Sequence, residues 1–180
     1  MQRLLSLISV RSPQSSVLFL VLAVGCAGDP STGPGAYQWK SLYRTDIHTV
    51  AVPIFGTRDF HRGVEFQVSD ALVHEIEAMT PYKVVARDHA DTILEGEVIS
   101  VNTNPLSNSN ETGEPQEQLA TIVVDFTWKE IKTGKILVER KNFEQTATYY
   151  PSLGEGEFVG EQTASEKMAL AIVHELEGAW

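Results

Sequence analysis

Residues 120–128 alternate between apolar and polar side chains, and this pattern most restricts the folds open to the chain. Thr121, Asp125 and Thr127 occupy one face of the predicted strand. The opposite face is apolar throughout and comprises Ala120, Ile122, Val124, Phe126 and Trp128. Such a strand is half-buried, so it predicts a sheet that is covered on one face. The turn at residues 132–134 predicts that the chain returns as a last strand over residues 136–147.

Upstream, the pattern predicts a strand, a helix and a second strand. Residues 49–55 are apolar on both faces, which indicates a buried strand, and Pro53 within it indicates an unpaired edge or a bulge. Residues 64–79 have helical spacing, and the helix should end before Pro81. Its apolar face consists of Val64, Val68, Ala71, Leu72, Ile76 and Met79. A short strand follows at 82–86, and the two strands should be parallel because so short a helical crossover joins them.

Three further segments complete the predicted fold. Residues 92–101 form a strand in which Gly96 should allow a helix to pack closely or mark a bulge. Residues 103–117 are polar and typical of turns, and residues 159–177 have the period of a second helix. The prediction is an α+β domain over residues 49–180. Two helices pack on one face of a mixed four- to five-stranded sheet, with a β-α-β-β-β-α core.

Two apolar side chains of the first predicted helix lie away from its buried face. Phe66 and Val73 are on the far side of the helix from Leu72 and Ile76. They indicate either a small satellite contact or a surface that binds a partner.

The N-terminus has the pattern of a bacterial lipoprotein signal. Arg3 and Arg11 precede the apolar run 17–25, and Cys26, the only cysteine of the chain, ends it. This pattern predicts cleavage before Cys26 and acylation of its thiol and new amine, with an ordinary secretory signal as the alternative. The run is too short for a membrane-spanning helix, which needs about 20 residues. Residues 26–48 would then hold the lipidated cysteine and a tether rich in Gly and Pro.

Charge and cysteine content exclude several classes of protein. Loss of residues 1–25 reduces the 14 basic residues to 12 and leaves all 24 acidic residues, for a formal charge of −12. A domain this acidic repels nucleic acid, which we exclude as a partner. With one cysteine, an intramolecular disulfide cannot form.

The motifs of common enzymes are missing from the sequence. His74-Glu75 and His174-Glu175 lie on the predicted helices, but the second histidine that a zinc protease helix needs one turn on is Ala78 or Gly178. There is no Gly-x-Ser-x-Gly elbow for a serine hydrolase. We therefore predict no catalytic residue, no metal site and no cofactor, and interpret the chain as an envelope domain that acts by binding.

Several segments together carry a resemblance to a known family. They are residues 35–37, 50–55, 63–66, 72–76, 82–85, 90–98, 133–139, 149–151 and 171–173. Their order after the lipid cysteine resembles that of the LptE family of lipopolysaccharide-assembly lipoproteins, over nearly the whole mature chain. The Ala90-Asp91 segment also occurs in penicillin-binding-protein activators and CsgG-like proteins.

The resemblance implies a function at the periplasmic face of the outer membrane. Family members plug the β-barrel LptD, help it to fold and contact lipopolysaccharide, without catalysis. In related proteins the basic residues linked to lipopolysaccharide lie in the loops that correspond to 103–117 and 148–157, and here those loops hold five glutamates and no Lys or Arg. The plug role therefore carries over, whereas the ligand site does not. The alternatives are a regulator of a cell-wall synthase and a CsgG-like pore subunit.

The predicted topology also sorts charged loops onto two ends of the sheet. Loops 56–62, 86–91 and 129–135 should share one end with a net charge of +2, and loops 103–117 and 148–157 should share the other with −5. The basic end is expected either to be solvated or to contact anionic groups of lipid A or of the barrel lumen. The candidate contact residues are Arg58, Arg62, Lys132 and Lys135.

Overall fold

A mixed six-stranded sheet forms the body of the protein in the computed structural model, which describes residues 43–177. The strands are β1 (Thr49–Ala51), β2 (Gly56–Thr57), β3 (Lys83–Val84), β4 (Thr92–Asn108), β5 (Pro115–Glu130) and β6 (Ile136–Tyr149). The helices are α1 (Val64–Met79) and α2 (Glu157–Glu177), and short 3-10 turns cover Arg87–His89 and Pro151–Leu153. The predicted α+β class is confirmed, with one more short strand than the four to five expected.

One side of the sheet is parallel. Its strand order is β3-β1-β4-β5-β6, β1 pairs in parallel with both β3 and β4, and β2 pairs in parallel with β4 at Glu97 and Val98. The predicted parallel arrangement of the strands at 49–55 and 82–86, which correspond to β1 and β3, is thus confirmed. The strand expected to run to residue 55 is wrong in its length, because it ends at Ala51. Pro53 lacks the N–H that would continue the ladder, so β1 and β2 are two separate strands along the same side of β4.

The other side of the sheet is antiparallel. β4 pairs with β5 from Thr92↔Glu130 to Asn108↔Pro115, and β5 pairs with β6 from Gln118↔Tyr149 to Lys129↔Ile136. The prediction that residues 103–117 form a loop is therefore wrong for most of that segment. Ladder hydrogen bonds join main-chain groups and do not require apolar side chains, so a polar sequence forms a hairpin here.

Both described helices contribute to one core against the sheet. The predicted helix at 64–79 is confirmed at both ends, and Thr80 closes it by donating its N–H and its hydroxyl to the Ile76 carbonyl. α2 begins at Glu157, slightly before the predicted start. The predicted apolar face of β5 is buried along its whole length. It packs in one cluster with side chains from the helices, among them Val68, Leu72, Ile76, Ala164, Met168 and Ile172.

Two glycines allow aromatic rings to approach the backbone. A Cβ on Gly96 would lie 2.2 Å from Phe55 Cε2, so the expectation that a helix packs there is wrong and the ring of Phe55 takes the place. The first register shift of β4 against β5 falls between Val98 and Ser100, and none falls at Gly96. A Cβ on Gly160 would lie 2.3 Å from Tyr149 Cδ1, so the first turns of α2 pack directly on the end of β6.

Candidate partner-binding surfaces

The predicted lipid anchor lies outside the described part of the chain. Cys26, the signal 1–25 and most of the tether 26–48 precede residue 43, so acylation stays a prediction. Among residues 43–177, neither helix has the length and apolar character needed to cross a membrane.

Arg58 extends the parallel edge and faces the polar side of the sheet. Its N–H donates to the Val98 carbonyl at 2.9 Å, which carries the chain one residue past β2. Its guanidinium Nη2 lies 2.7 Å from Glu97 Oε2, and the side chain is 67% exposed. An exposed pair of this kind contributes at most about 1 kcal/mol, so Arg58 stays accessible to another anion.

Arg62 is exposed just before α1. Within residues 43–177 it forms no ion pair with an acidic side chain. Its guanidinium is therefore not paired with a carboxylate from this part of the chain, and it could take a bidentate carboxylate or phosphate.

Lys132 and Lys135 lie in the turn between β5 and β6. The turn is closed by hydrogen bonds from Glu130 N–H to the Lys135 carbonyl and from Gly134 N–H to the Glu130 carbonyl. Lys132 adds to the hydrogen bonds from Thr49 that lower the pKa of Asp91, and Lys135 adds to the Arg44 hydrogen bond that lowers the pKa of Asp46. Both lysines therefore lie near acidic groups.

The four candidate cations do not share one end of the sheet. Ile131 N–H donates to the Asp91 carbonyl, so loops 86–91 and 129–135 do meet as predicted. Loop 56–62 is elsewhere, because Arg58 N–H bonds to Val98 and the Asp59 carboxylate accepts the Val101 N–H. Val98 lies six positions after Thr92 along β4, a distance of about 20 Å. The expectation of one basic end that includes Arg58 and Arg62 is wrong.

The acidic loops do meet as expected. The Ser152 hydroxyl donates to the Gln116 carbonyl, and the Thr103 hydroxyl donates to Glu157 Oε1 at 2.8 Å. Loop 148–157 therefore lies against the β4–β5 hairpin.

The face of the sheet opposite the helices carries paired charges. Glu95 Oε2 accepts from Lys129 Nζ at 2.6 Å, and Glu95 Oε1 lies 3.5 Å from Arg87 Nη1. Glu97 of the same strand forms a second pair, with Arg58. This face is thus polar and largely neutral, which suits either solvent or a polar partner surface.

An apolar groove lies between α1 and the connection from β1 to β2. We call it the edge groove, and its apolar lining consists of Val52, Ile54, Phe66 and Val73. Ile54 is 62% exposed and Phe66 is 56% exposed. A contiguous exposed apolar patch of this kind marks an interaction site more often than scattered single side chains do. Of the two interpretations of Phe66 and Val73, the structure favours a partner surface.

Sequence reasoning missed the edge groove because Val52 and Ile54 were assigned to a buried strand. Pro53 between them was the available signal. A proline that interrupts a strand turns its neighbours out of the ladder and leaves their side chains free to line a surface.

Comparisons with known proteins give the fold and the family. The protein CT253 from Chlamydia trachomatis has 8% identity and a TM-score of 0.53, over 74% of this chain and 97% of that chain. Lipoprotein B from Nitrosomonas europaea has 11% identity and a TM-score of 0.49, over 78% of this chain and 88% of that chain. No curated protein matches the sequence significantly.

The family model described as LptE, lipopolysaccharide-assembly, matches residues 47–176. This range takes in every strand of the sheet and all but the last residue of α2. The resemblance carried by the ordered segments of the sequence is thereby confirmed, and the chain belongs to the LptE family of lipopolysaccharide-assembly proteins.

Proposed function

We propose that this protein is an outer-membrane lipoprotein that partners and plugs an LptD-type β-barrel and assists lipopolysaccharide assembly from the periplasmic face. The observation that carries the proposal is the family match over residues 47–176. The role is one of binding, with no catalytic step.

The edge groove supports the partner-binding part of the proposal. A plug must present side chains to the barrel wall, and Ile54 and Phe66 are large apolar side chains exposed next to each other. Aromatic side chains in such a patch often carry much of the energy of an interface. Direct contact with lipopolysaccharide would need cations, and Arg62 is an exposed candidate that forms no ion pair with an acidic side chain of residues 43–177.

The signal pattern supports the location. Acylation of Cys26 on its thiol and its amine gives several acyl chains, and each buried methylene contributes about 0.8 kcal/mol, so attachment would be stable where one chain would hold only marginally. Ala27 and Gly28 follow the cysteine, rather than an acidic residue of the kind that retains lipoproteins at the inner membrane in some bacteria.

The test is affinity purification of the tagged full chain from detergent-solubilised envelopes. We expect a large β-barrel protein to co-purify, and Phe66→Glu to reduce its recovery. Leu153→Glu is the matched control, because Leu153 is 76% exposed and is not part of the edge groove.

Two outcomes would contradict the proposal, and a third would contradict only the part played by the edge groove. Recovery of a cell-wall synthase would favour the regulator, and a ring of this chain alone would favour a pore subunit. Equal recovery of the barrel with Phe66→Glu and Leu153→Glu would remove the edge groove from the interface.

A further inference from the structure

Three side chains with metal-binding atoms meet where loop 58–62 reaches the start of α2. They are His61, Glu157 and Glu161, and their nearest ligand atoms all lie within 4.8 Å of one another. Glu157 and Glu161 are one helical turn apart, so both project from the same face of α2. Since His61 is distant from them in the sequence, only the folded chain brings the three together.

Asp59 orients the imidazole of His61. Its Oδ1 lies 3.1 Å from His61 Nδ1 and accepts the His61 N–H at 3.2 Å, while its other oxygen accepts the Val101 N–H. With Nδ1 directed at a carboxylate, Nε2 is the ring nitrogen left for a ligand. A carboxylate behind the imidazole is the usual support of a metal-bound histidine, since it fixes the tautomer and the ring orientation.

Glu157 is supported in a similar way. Its Oε1 accepts a hydrogen bond from the Thr103 hydroxyl at 2.8 Å, which leaves Oε2 for another partner. Asp59 and Thr103 are both anchored on or against β4, so the sheet positions a ligand residue from the loop and another from the helix.

The two glutamates lack a permanent cation. Among the described residues, neither Glu157 nor Glu161 forms an ion pair with Lys or Arg. They lie one helical turn apart on α2, so their charges repel each other. A bound cation would relieve the repulsion between the two carboxylates.

We propose that His61, Glu157 and Glu161 form a binding site for one zinc ion. One imidazole nitrogen and two carboxylates suit zinc, whereas calcium and magnesium prefer oxygen ligands alone. In a tetrahedral site with bonds of about 2.0–2.1 Å the ligand atoms lie roughly 3.4 Å apart, so modest side-chain rotations would close the cluster around the ion. Water would take the fourth position.

Zinc bound here would join the loop before α1 to the first turn of α2. Because the three side chains come together only in the folded chain, the ion would stabilise the folded state. The gain in stability would increase with the affinity for zinc. The proposal rests on this geometry and not on the proposed role at the outer membrane.

The experiment is calorimetric titration of the metal-free full chain with Zn²⁺, together with thermal unfolding with and without the ion. We expect one ion per chain and a higher unfolding temperature with zinc. His61→Ala should weaken binding at least tenfold, and Asp59→Asn, which removes the support behind the imidazole, should weaken it about 10- to 100-fold. His174→Ala is the control, since His174 is exposed near the other end of α2 and should leave zinc binding unchanged.

Several results would overturn the site. One is that the wild-type chain binds no zinc at 0.1 mM Zn²⁺, a concentration well above that at which a functional site would be filled. Another is equal affinity in the His61→Ala and His174→Ala variants. A third is equal binding of Ca²⁺ in competition, which would mean that the cluster attracts divalent cations by charge and that His61 serves only as an ion-pair partner. Circular dichroism of each variant at low temperature confirms that it is folded before the comparison is made.

Discussion

Thr49 and Asp91 bond to each other in both directions. The Thr49 hydroxyl donates to Asp91 Oδ2 at 2.8 Å, and the Asp91 N–H donates to Thr49 Oγ1 at 2.9 Å. Asp91 Oδ2 also accepts the N–H groups of His48 and Thr49. The pair fixes the start of β1 beside the start of β4, which gives a structural role to the Ala90-Asp91 segment that the family resemblance singled out.

This pair predicts a pH dependence of stability. The hydrogen bond from the Thr49 hydroxyl lowers the pKa of Asp91, with the His48 and Thr49 amides adding to it. A lowered carboxyl pKa contributes stability that is present above the ordinary value near 4 and is lost as pH falls through the folded value. We expect Asp91→Asn to lower the urea midpoint at pH 6, and the difference from wild type to shrink as pH falls below the ordinary carboxyl value near 4. Asp88→Asn, in the exposed neighbouring turn, controls for the loss of a charge, and a constant difference across the series would contradict the prediction.

The close approach of Phe55 to Gly96 predicts a large effect from one methyl group. Gly96→Ala would place a Cβ inside the ring of Phe55, and overpacking of this kind typically costs about 1–3 kcal/mol. Gly156→Ala is the matched control, because a Cβ there meets no atom within 4 Å. Chemical denaturation of both variants measures the cost. If both changed stability equally, the ring would have room that the structure does not show.

The apolar face of β5 predicts the energetic centre of the domain. Phe126 is 2% exposed, and its ring lies edge-on to Phe143 with centroids 5.5 Å apart. We expect Phe126→Ala to cost about 3–5 kcal/mol, to lower the unfolding temperature and to reduce cellular levels of the protein. Phe158→Ala removes an aromatic ring that is 62% exposed and should change stability little. An unchanged melting temperature for Phe126→Ala would exclude this face as the core.

The separation of the four candidate cations predicts that they act as two independent pairs. We expect two double variants to have additive effects on lipopolysaccharide binding and barrel recovery, because distant sites rarely couple. One is Arg58→Gln with Arg62→Gln, and the other is Lys132→Gln with Lys135→Gln. The arginine pair should matter more, since guanidinium binds phosphate in bidentate geometry, and its effect should fade with added salt. Lys141→Gln, at an exposed position paired with Glu139, is the control. Wild-type binding in all variants across a salt series would make these cations a solvated surface.

The predicted anchor has a direct chemical test. Metabolic labelling with palmitate should mark the wild-type protein and leave Cys26→Ser unlabelled, because the only thiol of the chain is then gone. The labelled protein should fractionate with the outer membrane. Equal labelling of both proteins would show that acylation does not depend on Cys26.

The sequence predicted those elements whose side chains alternate between core and solvent. The helix at 64–79 and the buried face of β5 follow directly from apolar spacing, because packing against a sheet requires that spacing. The hairpin at 103–117 was not predicted, because its side chains are polar and give no sign of the hydrogen bonds between the two backbones. The position of loop 56–62 was predicted wrongly for another reason. It depends on the hydrogen bond from the Val101 N–H to the Asp59 carboxylate, which local sequence patterns do not reveal.

The break at Pro53 also affects how readily this edge of the sheet can pair with a second copy of the chain. A long straight edge strand offers a row of main-chain donors and acceptors to any neighbour and so favours aggregation. Here the segment beside β4 is divided into β1 and β2, of three and two residues, so the strands exposed at this edge are β2 and the two-residue β3 that pairs with β1. At this edge a second chain would find few consecutive groups to pair with. At this edge recognition is therefore left to side chains instead of to the backbone, whereas β6, the 14-residue strand at the other edge of the sheet, keeps its row of main-chain groups.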